Sequence, residues 1–194
     1  MIRSVAVLTC LCWLPLGAWS VSAQAQTVLM RDVTVKKVLQ AETLSGCSIK
    51  FDVGYRDHTY RQGLPSVVSG DVTWYLRPMG AWASLTVAGQ DISAEMEPMG
   101  DFLITNAFID VDTSTYLADE QSSCESPLGF CAIYRAEKAM RLMHSAIPAF
   151  ALGFDREGTR MGRIRLPIVI EGQQLKDIEE CLQTLAGSVT PEQP

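Results

Sequence analysis

Apolar and polar residues alternate strictly from Cys47 to Tyr55. Cys47, Ile49, Phe51, Val53 and Tyr55 fall on one side, and Ser48, Lys50, Asp52 and Gly54 on the other. A period of two is the signature of a strand with one buried face. Asp71–Leu76 and Trp82–Val87 alternate in the same way, and the intervening Pro78-Met79-Gly80-Ala81 is turn chemistry, so the two stretches predict a hairpin. Placing Arg77 opposite Trp82 collects Val72, Trp74, Leu76, Ala83, Leu85 and Val87 on one face. Thr73, Tyr75, Arg77, Trp82, Ser84 and Thr86 then lie on the other. A one-residue slip would mix the two sets, which makes the register well specified.

Phe102–Val111 and Phe130–Tyr134 are further strand candidates, and Ile147–Phe154 with Arg163–Ile170 frames a second hairpin around the polar turn from Asp155 to Gly162. Pro167 has no amide hydrogen to give to a ladder, so its strand belongs at an edge or carries a bulge. Helical spacing is confined to two places. Ala136, Met140 and Met143 mark a short helix within Arg135–Ser145. Leu175, Ile178, Cys181, Leu182 and Leu185 line one stripe of Gln173–Leu185, with Gly187 suited to a stop. The expected fold is mainly β: an antiparallel β-sandwich or partly open barrel with a short helix and a docked C-terminal helix.

The first 25 residues read differently. Arg3 is followed by the uncharged, mostly apolar run Val5–Trp19 and then by Ser22-Ala23-Gln24-Ala25, a small-residue cleavage site. This pattern predicts a secretory signal peptide, too short for a membrane anchor. Export would leave one β-rich domain over 26–187 and a disordered tail over 188–194, in a periplasmic or extracellular setting. The processed chain has 15 basic and 22 acidic residues, a net charge of −7. That balance disfavours nucleic acid and anionic membranes and suits a basic protein partner. No later apolar stretch is long enough to predict a transmembrane helix.

Four cysteines remain behind the leader: Cys47, Cys124, Cys131 and Cys181. They allow three connectivities, which sequence alone does not choose between. Local geometry ranks them. Pro127 and Gly129 invite a tight loop joining Cys124 to Cys131, while a Cys47–Cys181 bridge would tie the last helix to the sheet. Metal binding would need denser Cys/His clustering, and no C-x-x-C is present, so neither a metal nor a cofactor is expected.

Catalytic signals are sparse. His58 and His144 stand in no catalytic or metal spacing, and no nucleophile elbow, zincin motif or phosphate loop occurs. Asp110-Val111-Asp112-Thr113-Ser114 begins like a calcium loop, but Thr115 replaces the required glycine and Gln121 the closing acid. The outer hairpin face is more informative. Tyr75, Arg77 and Trp82 are residue types enriched in interfaces, and Arg77 across from Trp82 would make a cation–π pair. Such a face contributes to binding rather than folding, so Trp82→Ala is expected to cost below about 0.5 kcal/mol.

From Cys124 onward the chain resembles the secreted bacterial proteins known as invasion-associated locus B proteins. The resemblance rests on the Cys124…Gly129-Phe130-Cys131 loop and on Arg163-Ile164-Arg165-Leu166-Pro167-Ile168-Val169-Ile170-Glu171-Gly172 leading into the terminal helix. It covers roughly the last 60 residues. It implies a small, non-enzymatic β-rich protein of the bacterial envelope or host-cell interface and assigns no active residue. The leading expectation is a disulfide-stabilised β domain acting by protein–protein contact. The alternatives are an envelope hydrolase with an unrecognised site, or a carbohydrate-binding module stacking sugars on Trp82 and Tyr75.

Overall fold

The alternating stretches form strands, and their apolar sides face one another across two antiparallel sheets. The computed structural model describes residues 26–77, 80–124, 129–156 and 163–187, without the side chains of Arg77 and Ser123. The leader and tail predicted at 1–25 and 188–194 lie outside the described residues. The larger sheet has seven strands: β1 (Thr27–Gln40), β2 (Thr43–Asp57), β3 (Leu64–Arg77), β4 (Gly80–Ile92), β5 (Pro98–Phe102), β8 (Glu120–Ser123) and β9 (Phe130–Arg135). Their order is β1-β2-β3-β4-β9-β8, with β5 paired to the far half of β4. The smaller sheet orders β11 (Ile164–Val169), β10 (Ala149–Arg156), β6 (Ile104–Val111) and β7 (Ser114–Tyr116). This is a β-sandwich, not a closed barrel.

The inner faces meet in one core. Cys47, Ile49, Phe51, Val53 and Tyr55 are each at most 1% exposed, so the first alternating stripe is buried along its whole length. Phe51 meets Phe150 edge to face at 6.3 Å, and Tyr55 meets Phe154 in the same way, joining the two sheets. At the other end of the larger sheet, two helices supply the cover. α1 (Ala136–Ser145) buries Ala139, Leu142 and Met143, and α2 (Gly172–Gly187) buries Ile178, Cys181 and Leu185. The predicted α1 stripe is turned slightly: Ala136 is exposed, with φ of 45° at the helix entrance, and Met140 is only partly covered.

The disulfides are Cys47–Cys181 and Cys124–Cys131, and the first does tie α2 to β2. Pro167 also falls as expected, on the edge strand β11, paired with Ala151.

Three features differ from the sequence expectation. Arg77 pairs with Gly80, not Trp82, so every β3–β4 pair is shifted by two residues. Gly80 adopts φ of +127°, which a side-chain-bearing residue disfavours. The strand therefore resumes at Gly80, leaving only residues 78 and 79 between the paired strands. A two-residue shift preserves both faces, so the inner set stands and only the cross-strand partners change. The Phe102–Val111 stretch is two strands, because Leu103 carries the chain from one sheet to the other and Phe102 and Ile104 both bury in the core. Finally, β1 and the short strands β5, β7 and β8 have no counterpart in the sequence reading. The pairing of β1 is broken by irregularities at Val28/Met30 and Val38/Leu39.

As an edge strand, β1 is guarded against pairing with other chains. The Val35 amide donates to Gln174 Oε1 of α2 at 2.8 Å, and Lys37 reaches Glu180 at 3.2 Å. Side-chain capping, lysines and bulges are the usual means of blunting an exposed edge.

Candidate functional site

The outer face of the larger sheet is polar, with one aromatic feature. Because of the two-residue shift, Tyr75 rather than Arg77 lies across from Trp82. Their rings stack at 3.9 Å between centroids and 11° between planes. In the strand register Tyr75 thus takes the place expected for Arg77, whose side chain lies outside the described residues. The row continues through Gly46 on β2 and Arg135 on β9. A Cβ on Gly46 would come within 2.9 Å of the Tyr75 ring, so Tyr75 occupies the space the glycine leaves open. Arg135 is paired with Glu120 at 2.5 Å, and both side chains are more than half exposed. The next row holds Ser48, Thr73 and Ser84, with Thr73 Oγ1 hydrogen-bonded to Ser48 Oγ at 2.8 Å and Asp71 Oδ2 at 2.9 Å. Tyr75 and Trp82 are half-buried.

This geometry bears on what the face can bind. A ring pair stacked on itself uses one face of each ring, whereas a sugar platform needs ring faces turned outward. Ser48 and Thr73 are themselves buried, so what the stack presents beside its half-buried rings is the exposed Arg135–Glu120 ion pair, a mixture common in protein interfaces.

A second constellation was missed in the sequence. Asp57, Ser66, Asp91 and Arg156 converge at the end of the sandwich where β2, β3, β4 and β10 finish or begin. Asp57 is fully buried. Its Oδ2 accepts from Arg156 Nη1 at 2.9 Å, and its Oδ1 accepts from the amides of Thr59 and Tyr60 at 3.0 and 2.7 Å. Arg156 Nη2 reaches Asp91 Oδ2 at 2.9 Å, and Ser66 donates to Asp91 Oδ1 at 3.0 Å. Arg61 Nη1 lies 3.6 Å from Asp91 and donates to the carbonyl of Ile92 at 2.8 Å. The Arg156 guanidinium sits 3.7 Å above the centre of the Phe102 ring, and that ring packs where a Cβ on Gly89 would collide. Burial works against the charge of Arg156, but hydrogen bonding and attraction from Asp91, with help from Asp57, hold its pKa above the ordinary value. Burial, followed by the nearby charge of Asp57, pushes the Tyr55 phenol far upward. Two arginines and two aspartates balance, and their polar groups are used on one another and on nearby backbone amides and carbonyls. This is a clamp between sheets.

A signal for this clamp lies in the alternation itself. Asp57, Asp91 and Arg156 each continue the inner-facing alternation of an apolar strand by one further step, and polar residues at such positions must find one another.

The histidines do not converge on a site. His58 lies in the turn after β2, where its amide donates to Gln26 Oε1 at 3.1 Å, and His144 is exposed near the end of α1. A cleft of about 450 Å³ between β7 and α1 is lined by Ser114, Thr115, Tyr116, Leu117, Glu137, Lys138 and Arg141, with neither histidine among them. The calcium-like stretch is the β6–β7 hairpin: Val111 pairs with Ser114, Asp112 turns with φ of 51°, and Asp110 is held by Arg165 at 2.8 Å. Among the described residues no group of three or more His, Cys, Asp or Glu is placed to hold a metal. No helix there is long and apolar enough to cross a membrane.

Comparison with protein-family models, curated proteins and solved structures found no match to this chain.

Proposed function

We propose that this protein is a non-enzymatic binding domain, exported to the periplasm or beyond, that acts through protein–protein contact in the bacterial envelope or at a host cell. The observation that carries the reading is the Tyr75–Trp82 stack on the outer face, flanked by the exposed Arg135–Glu120 pair. Half-buried aromatics beside a polar rim supply contact area at low entropic cost. The two disulfides support export, because such bonds persist in oxidising compartments. The resemblance of the last 60 residues to invasion-associated locus B proteins points the same way. An acidic balance favours a basic partner.

The test is affinity capture from envelope extract with the oxidised protein and its Trp82→Ala variant. A partner retained by the first and lost by the second supports the reading. A partner retained equally by both moves the contact elsewhere. Turnover of an envelope polymer by the purified protein would overturn the non-enzymatic assignment.

A further inference from the structure

The tip joining β4 to β5 has an unusual composition for an exposed turn. It reads Ser93-Ala94-Glu95-Met96-Glu97-Pro98-Met99-Gly100-Asp101. Met96 is 57% exposed and Met99 64% exposed, and Leu64, at the start of β3, is 42% exposed. Arg61 brings these segments together. It donates from Nη1 to the carbonyls of both Pro65 and Ile92 and from Nη2 to Met99 Sδ at 3.2 Å, while its own carbonyl accepts from the Leu64 amide. The turn is built, not loose. Ser93 Oγ accepts from the amides of Glu95 and Glu97 at 3.2 and 3.1 Å, and the Ser93 amide donates to the Glu97 carbonyl at 2.8 Å. Met96 is held at φ of 68°, a region that residues with side chains disfavour.

Three large apolar side chains are therefore presented to solvent at this tip, Met96 by the fixed turn, Met99 by the start of β5 and Leu64 by the start of β3, with Glu95, Glu97 and Asp101 exposed along the turn and β5. The nearby positive charges are already engaged: Arg61 faces Asp91, and Arg56 donates to the Gly63 carbonyl at 3.2 Å. Methionine suits adaptable apolar contacts, since its unbranched thioether reshapes to its partner. An acidic rim selects for cationic partners and repels anionic membranes.

We infer that this tip is a docking surface for a cationic amphipathic segment of a partner protein. The inference rests on the reading of the chain as a binding domain but not on the Tyr75–Trp82 face. The two surfaces stand at opposite ends of β4, roughly 35 Å apart at about 3.3 Å per strand residue.

The experiment uses the oxidised protein with ¹³C-labelled methionine methyl groups. The probe is a designed helical peptide of about 18 residues with leucines on one face and lysines on the other. The Met96 and Met99 methyl signals should shift on titration, while those of Met140 and Met143 in α1 stay in place. Binding should weaken about tenfold or more in Met96→Ser/Met99→Ser and in Glu95→Gln/Glu97→Gln, and should be unchanged in Trp82→Ala. Matching unfolding midpoints for the two double variants exclude a folding effect. Several results would overturn the inference: no shift at Met96 and Met99, equal binding of a lysine/serine peptide or a glutamate/leucine peptide, or preferential binding of phosphatidylcholine vesicles. A peptide that binds but is lost only in Trp82→Ala would overturn it while sparing the outer-face reading.

Discussion

Neutralising Asp57 tests the inter-sheet clamp. The carboxylate is fully buried, with one oxygen on Arg156 at 2.9 Å and the other on two backbone amides. Asp57→Asn keeps an acceptor for Thr59 and Tyr60 but turns a neutral donor toward the guanidinium. Breaking a buried ion pair by removing one charge costs about 3–5 kcal/mol. Arg156 keeps Asp91, which places Asp57→Asn near the lower figure, about 3 kcal/mol. Asp57→Ala also orphans two amides at about 1 kcal/mol each, for a loss of about 5 kcal/mol. The control is Glu180→Gln, which breaks the exposed Lys37–Glu180 pair and should cost under about 1 kcal/mol. Urea unfolding measures all three, provided the slope stays constant while the midpoint moves. A loss for Asp57→Asn no larger than that for Glu180→Gln would refute the clamp.

Trp74→Ala, at 1% exposure, should cost roughly 3–5 kcal/mol in the same assay. Trp82→Ala should cost about 0.5–1.5 kcal/mol, above the sequence expectation because its ring is stacked on Tyr75. Cys181→Ser should destabilise more than Cys131→Ser, since chain closure over 134 residues is worth about 5 kcal/mol and over 7 residues roughly 2.5. Mild dithiol under native conditions, followed by alkylation and mass mapping, should open Cys124–Cys131 first, because Cys47 and Cys181 are fully buried. Hydrogen bonds from Lys138 and from the Arg135 amide lower the pKa of Asp119. Its contribution is therefore present above its ordinary pKa of 3.8 and lost as pH falls through the lowered value. Exposed as it is, the contribution should stay below about 1 kcal/mol, seen as a slightly shallower acid transition in Asp119→Asn.

Much of the fold was legible because burial imposes period two. The stripe from Cys47 to Tyr55, both faces of the β3–β4 hairpin, the edge position of Pro167 and the two disulfides follow from alternation and turn chemistry. Register was harder, since shifts by even numbers leave the faces intact, and the observed pairing of Arg77 with Gly80 and Tyr75 with Trp82 differs from the expected one by such a shift. β1 escaped notice because bulges interrupt its pattern and an edge strand buries little. The clamp escaped because Asp57, Asp91 and Arg156 are far apart in sequence, and alternation gives a residue's face but not its partner. The outer-face candidate was legible as a set of residues, but not as a stacked pair.

The central claim, that the outer face of the larger sheet meets another protein, is tested most directly inside the producing cell. A photo-crosslinking phenylalanine derivative placed at Ser84, beside the Tyr75–Trp82 stack, should form a discrete adduct with one protein on irradiation. The adduct should disappear when Trp82→Ala is added, and a probe at Thr105, exposed on β6 of the other sheet, should form none. No adduct from position 84, or one that survives Trp82→Ala unchanged, would contradict the account.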